Sequence, residues 1–334
     1  MRYVFALNLL LLPFIMYACL PEKENSSATE RQFTNPIGDG ADPWVIRVGE
    51  NYWYCGSMDD KIFLASASFL PDILKSERII VFSPPANTSY SKEIWAPELH
   101  YVRGTWYIYF AADDGDNRNH RMYVLRGGTD PSNPLSKPFE FRGKVSDTTD
   151  KWAIDGTIFE YRQQLYLVWS GWPGDSNVKQ CLYIAKMSDY KTISSGRVCI
   201  SCPEFDWETI GDPDVNEGPE VIVHDSLVYI FYSASGSWTD DYCLGLLTNS
   251  SGDMLNIDAW KKTGPVFKKT EKVFAPGHAS FLQTPNGRWW IIYHAAKYQG
   301  AGWDRNVRIQ PFEWDGIYPQ LGNPIEPGVF MNFP

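Results

Sequence analysis

Five times along this chain, at intervals of about sixty residues, one pattern returns. A polar or acidic residue opens it, a short strand follows, then a tight turn and a strongly aromatic strand. The openers are Asp42, Glu98, Asp155, Glu217 and His278, separated by 56, 57, 62 and 61 residues. Turn residues divide each unit, as at Gly49-Glu50-Asn51, Arg103-Gly104 and Pro285-Asn286-Gly287, and the flanking strands make each unit a hairpin. The aromatic strands include Trp106-Tyr107-Ile108-Tyr109-Phe110 and Trp289-Trp290-Ile291-Ile292-Tyr293. Further strands follow within a unit, as at Arg121 to Arg126 and Cys181 to Lys186. Four strands in each of five units predict an all-β chain folded as a five-bladed β-propeller over residues 35–334. Helical periodicity is limited to one turn between Leu70 and Glu77. A β-sandwich or jelly roll does not predict a sixty-residue repeat with a polar opener.

In a propeller the innermost strand of each blade faces the central channel, so the openers converge on one axis. Several carboxylates there would be costly unless paired or functional. Together they raise one another's pKa values and yield an acid that stays protonated near neutral pH. Cleavage of a glycosidic bond uses such a set: one carboxylic acid protonates the leaving oxygen, and a second carboxylate activates water or attacks. Each residue alone is ambiguous, because an Asp before Pro is commonly a turn residue. Only the equivalence across the repeat favours chemistry. The 15% aromatic content, with 14 Trp and 19 Tyr, suits both strand cores and sugar-binding clefts. The net charge is −10 and no basic run appears, which argues against a nucleic-acid partner.

The first eighteen residues read as an export signal: Arg2, then an apolar stretch from Val4 to Ala18, too short for a bilayer span. Met16-Tyr17-Ala18-Cys19 resembles a bacterial lipobox, which makes Cys19 the expected site of a lipid anchor in the outer membrane leaflet. Residues 19–34 are expected to be a flexible tether rich in Ser, Glu and Asn. This places the protein in the periplasm or on the cell surface. Five other cysteines remain, with no zinc spacing, and most are expected as small buried hydrophobes.

Several segments together resemble glycoside hydrolase family 43, from about Asn35 to about Pro327. They are Gly40-Ala41-Asp42-Pro43-Trp44, Trp95-Ala96-Pro97-Glu98-Leu99-His100, Trp152-Ala153-Ile154-Asp155-Gly156-Thr157, Asn216-Glu217-Gly218-Pro219-Glu220 and Pro276-Gly277-His278-Ala279-Ser280. Ile108 to Asp114, His120 to Leu125 and Trp169 to Trp172 look like its α-L-arabinofuranosidase branch, some of which trims arabinan from chain ends. The resemblance implies an inverting mechanism in which Asp42 is the general base, Glu217 the general acid, and Asp155 orients that acid and raises its pKa. It also implies a fifth-blade arginine near the orienting Asp, for which Arg305 fits best and Arg308 is the fallback. His278 matches a channel histidine that in many members touches a structural cation, often calcium; catalysis requires no cofactor.

Trp95 and Trp172 are either sugar platforms or inter-blade packing. Glu98 and Glu220 are assigned to sugar hydroxyls or to neighbouring charges. The Asp113–His120 and Trp238–Tyr242 segments are expected to rim the cleft. The expected substrate is an arabinose-bearing plant oligosaccharide or polysaccharide. A β-xylosidase or galactosidase on the same scaffold, and a non-catalytic sugar-binding propeller, are the alternatives. An invertase-like enzyme is disfavoured, because Ala41-Asp42-Pro43-Trp44 lacks that family's Asn-Asp-Pro-Asn opening and Glu217 is not followed by Cys.

Overall fold

The computed structural model describes Met1 and residues 31–334; the expected signal segment, Cys19 and the tether up to residue 30 lie outside the described residues. Five antiparallel four-stranded blades follow one another along the chain. The first holds Trp44–Val48, Asn51–Met58, Lys61–Ala67 and Ile79–Phe82. The second holds Lys92–Val102, Thr105–Asp113, Arg121–Arg126 and Glu140–Val145. The third holds Ala153–Tyr161, Gln164–Gly171, Lys179–Met187 and Val198–Ser201. The fourth holds Asp214–His224, Leu227–Ala234, Cys243–Asn249 and Trp260–Phe267. The fifth begins with Phe274–Gln283, Trp289–Ala296 and Arg305–Asp315.

The outer edge of the fifth blade is completed from the other end of the chain. Gly38–Asp39 pairs antiparallel with Asn306 and Val307, and Arg31–Thr34 pairs with Phe330–Phe333. Residues 31–34 are therefore strand and not tether, a correction to the boundary drawn from composition. Their polar sequence hides a pairing that exists only once the ring has closed. Closing it ties the two ends together and removes an open edge.

The apolar core lies between blades. Trp44, Leu64, Leu99, Trp106 and Phe110 fill the interface of the first and second, and Val45, Tyr54, Trp290, Ile292 and Phe333 that of the fifth and first. The second strand of each blade is thus covered on both faces. All nine residues of Thr105–Asp113 are buried, which is why these strands read as continuous apolar and aromatic runs. Among the described residues the helical segments are three short 3-10 pieces, at Leu70–Lys75, Asn117–Asn119 and Ile257–Ala259; the first stands where a single turn was expected.

The cysteines depart from expectation. Cys181 and Cys202 form a disulfide, with the Cys199 Sγ 3.4 Å from Cys202 Sγ. The strands Lys179–Met187 and Val198–Ser201 bring the three together, a pairing that spacing could not reveal. Cys55 and Cys243 are buried free thiols, as expected of small hydrophobes.

Candidate active site

At the inner end of each blade the backbone turns left-handed at one residue: Asp42 (φ 48°), Ala96 (41°), Asp155 (54°), Gly218 (55°) and His278 (44°). Four of these are not glycine, and such a conformation costs an L-residue about 1 kcal/mol. In blades two to five the pairing register shifts there, between Trp95 and Glu98, Ile154 and Thr157, Glu217 and Glu220, and Gly277 and Ser280. The bulge lifts the side chain beside it out of the ladder and into the channel mouth. The true repeat register is therefore 42, 96, 155, 218 and 278. Glu217 stands one residue before its bulge, and Glu98 two residues after.

This shift sorts the openers into two tiers. Asp42, Asp155, Glu217 and His278 line an open cleft of about 780 Å³. Glu98 does not line it. Together with Thr157, Glu220 and Ser280 it forms a buried tier below the floor, and His100 Nε2 lies 2.8 Å from its Oε2. Burial, followed by the neighbouring Glu220, pushes Glu98 well above the usual carboxylate range. The assignment of Glu98 to sugar hydroxyls is corrected accordingly: the residue is sealed under the site.

The three cleft carboxyls have opposed electrostatics. Burial alone would push Asp42 up, but His278, His294 and Arg305 outweigh it and hold Asp42 well below the usual range. Nδ1 of His278 and of His294 lie 3.2 and 3.3 Å from Asp42 Oδ1, and Arg305 Nη1 lies at 3.6 Å. Burial pushes His278 down, and His294 down to about 3. Both rings are thus neutral near pH 7, and the standing positive charge is Arg305. Glu217 goes the other way. Burial pushes it up to about 7, against the Tyr242 hydroxyl and Arg305 and with a smaller push from Asp42. Burial also drives Asp155 well up, reinforced by Glu217 and Asp42; the Gly218 N–H donates to its Oδ2 at 3.0 Å. The cleft therefore presents one carboxylate held ionised, Asp42, beside two carboxyls pushed toward the protonated form, Glu217 and Asp155, and Asp42 with Glu217 supplies the base and acid that hydrolysis needs.

Residues 33–318 match the model of a family described as Glycosyl hydrolases family 43. The chain belongs to that family. It is 36% identical over 316 residues to an extracellular exo-α-(1→5)-L-arabinofuranosidase of Streptomyces avermitilis, a match covering 89% of this chain and 64% of that protein. It is 31% identical to α-L-arabinofuranosidase 43 of Humicola insolens, covering 86% of this chain and 62% of that protein. The chain thus spans somewhat less than two thirds of these relatives' length. A solved α-L-arabinofuranosidase from Lactobacillus brevis superposes with a TM-score of 0.81 at 30% identity, over 89% of this chain and 98% of that one.

The walls of this family 43 cleft are aromatic. Trp95 and Trp152 reach it from the second and third blades, Trp238 and Trp303 from the fourth and fifth. Trp95 stacks on His120 with ring centroids 4.0 Å apart; His120 is pinned by contacts to the Glu93 carbonyl and Asn117 Oδ1. Trp152 stacks on Trp172 at 4.8 Å, nearly parallel. Trp172 itself is buried behind Trp152 and does not line the cleft. Its assignment as a sugar platform is replaced by packing, and Trp152 takes the cleft position. Trp303, 68% exposed, meets Trp238 edge-on. Of the expected rim segments, Asn117 and Trp238 do line the cleft, whereas Asp113, His120 and Tyr242 are buried beneath it.

Arg305 reaches the cleft and anchors through Nη2 to the Ser237 carbonyl at 3.0 Å. Arg308 is buried elsewhere, on Asn306 and the Ile325 carbonyl. Among the described residues no group of three His, Cys, Asp or Glu ligand atoms includes His278; the one such group is Cys181, Cys199 and Cys202, two of which are joined in the disulfide. Calcium takes six to eight oxygens, so His278 and Asp42 by themselves would not hold one. Sequence reading missed Trp152, Trp303, Asn177, Gln180 and Asp212 as cleft residues. Only Trp152 carried a signal, three residues before Asp155 within a quoted motif.

Proposed function

We propose that this chain is an exported glycoside hydrolase that releases L-arabinofuranose, with inversion, from arabinan or arabinose-decorated plant oligosaccharides. The observation that carries this reading is the opposed state of two carboxyls in one aromatic-walled cleft: Asp42 held ionised, Glu217 pushed up to about 7. Asp42, as base, takes a proton from the water that attacks the anomeric carbon. Glu217, as acid, gives its proton to the leaving oxygen. Asp155, fixed by the Gly218 N–H beside Glu217, orients the acid, while burial is what keeps it protonated until it is needed. The names borne by the Streptomyces avermitilis and Humicola insolens relatives favour arabinofuranose as the sugar, and the word extracellular in the former favours export. A lipid at Cys19 would hold the enzyme at the membrane surface, a point that mass spectrometry of the mature N-terminus tests.

The test is arabinose release from an α-1,5-linked arabino-oligosaccharide by the wild type, Asp42→Asn and Glu217→Gln. Asp42→Asn should abolish turnover on every substrate. Glu217→Gln should lose the natural substrate by about 10²–10⁴-fold and lose far less on a nitrophenyl arabinoside, whose leaving group needs little protonation. Release by Asp42→Asn would move the base elsewhere. No release by the wild type would overturn arabinose as the sugar.

A further inference from the structure

Beneath Glu217 lies a residue that the acid–base pair alone does not account for. Tyr242 is fully buried, and its hydroxyl donates to Glu217 Oε1 at 2.8 Å. Its ring lies nearly parallel to His294, 13° apart in plane with centroids at 5.6 Å, and His294 is the residue whose Nδ1 meets Asp42. Ser233, one of the groups that act on the Tyr242 hydroxyl, accepts the His278 N–H on its Oγ at 2.7 Å. Room for Tyr242 has been cleared: a Cβ on Gly277 would come within 2.3 Å of the Tyr242 ring.

We propose that Tyr242 is a positioning residue for the general acid: it binds Glu217 Oε1 and so leaves the transferable proton on Oε2. This rests on the assignment of Glu217 as the acid. The reasoning is chemical. In a neutral carboxyl the carbonyl oxygen is the better acceptor, so a donor locked on Oε1 selects Oε2 for the proton. The same bond tightens when Glu217 ionises after giving its proton away, since bonds to charged groups are the stronger ones. Tyr242 therefore restrains the upward drive of burial, keeping the acid strong enough to donate. The other titratable and charged groups around Glu217 are Asp42, Asp155, His278, His294 and Arg305, with Glu220 on its own strand and Glu93 and Asp212 on the cleft wall. Among those that act on Glu217 most strongly, Tyr242 ranks first after burial and is the one that is an uncharged donor.

The experiment is the pH dependence of kcat/KM for Tyr242→Phe beside the wild type, on an arabino-oligosaccharide and a nitrophenyl arabinoside. Removing the donor should move the basic limb to higher pH by about one unit. Activity on the oligosaccharide at the optimum should fall roughly tenfold, and on the nitrophenyl substrate by much less. A basic limb that stays in place, or equal losses on both substrates, would reduce Tyr242 to packing and overturn the proposal. Should Tyr242→Phe fail to fold, 3-fluorotyrosine placed at 242 keeps the shape and makes a stronger donor. It should move the same limb to lower pH, and no movement would again overturn the proposal. Failure of the acid assignment is read separately, from equal loss of both substrates in Glu217→Gln.

Discussion

Arg305→Gln tests the electrostatics of the cleft most directly, because one cation serves two carboxyls of opposite role. Its Nη1 lies 3.6 Å from Asp42 Oδ1. At that distance, with an effective dielectric of about 20, the attraction is about 4–5 kcal/mol. Asp42 is 25% exposed at its side chain, so solvent screening leaves roughly half, about 2 kcal/mol, or about 1.5 pH units. Arg305 also pulls Glu217 down, ranking behind Tyr242 among its neighbours, and that effect should be smaller. Loss of a cation makes both carboxyls harder to ionise. The acid limb, set by Asp42, should therefore rise by about 1.5 units, and the basic limb, set by Glu217 near 7, should rise by less. The whole bell moves upward and narrows. The assay is kcat/KM against pH on a nitrophenyl arabinoside, with unfolding checked in parallel. Limbs moving in opposite directions, or a basic limb that falls, would refute the assignment of Arg305 as the shared cation.

Two stability predictions follow from the same structure. Glu217 has a folded pKa of about 7 against an unfolded value near 4.5, so its burial is tolerated below pH 4.5 and costs stability as pH rises to 7. The loss amounts to about 3 kcal/mol by pH 8, and Glu217→Gln should unfold at a higher temperature than the wild type at pH 8 while matching it near pH 4.5; equal unfolding at both pH values would show that Glu217 is not the group responsible. The Cys181–Cys202 disulfide closes a loop of 21 residues, worth about 3 kcal/mol in loop entropy. Cys202→Ser should lower the urea midpoint accordingly, with an unchanged midpoint indicating that the bond constrains nothing.

The sequence by itself determined the number of blades, the strand character within each, and the three carboxyls that meet in the cleft. All three follow from local chemistry. Aromatic runs bounded by turn residues make hairpins wherever they stand, and five such hairpins in even succession leave little choice but a closed ring. Asp42, Asp155 and Glu217 were legible because the openers repeat, and repetition in sequence becomes convergence in a ring. The tertiary structure decided what depended on a register shift or on chain closure. Glu98 looked equivalent to Asp42, yet the bulge at Ala96 drops it into the buried tier. A period of about sixty residues tolerates a two-residue slip, whereas a strand reverses its facing with a slip of one. Trp172 and Trp152 are both tryptophans in quoted motifs, and only their stacking order shows which one meets the cleft. Residues 31–39 carry no strand signal strong enough to stand alone. Gly38–Asp39 becomes a strand because the last blade offers an unpaired edge, and Arg31–Thr34 because it meets Phe330–Phe333 in a separate two-stranded sheet. Tyr242, His294 and Arg305 lie 25 to 88 residues from Glu217, and nothing local joins them to it. Only the closed ring brings them against the carboxyls, and it is their hydrogen bonds and charge, against the cost of burial, that leave one acid ionised and the other protonated.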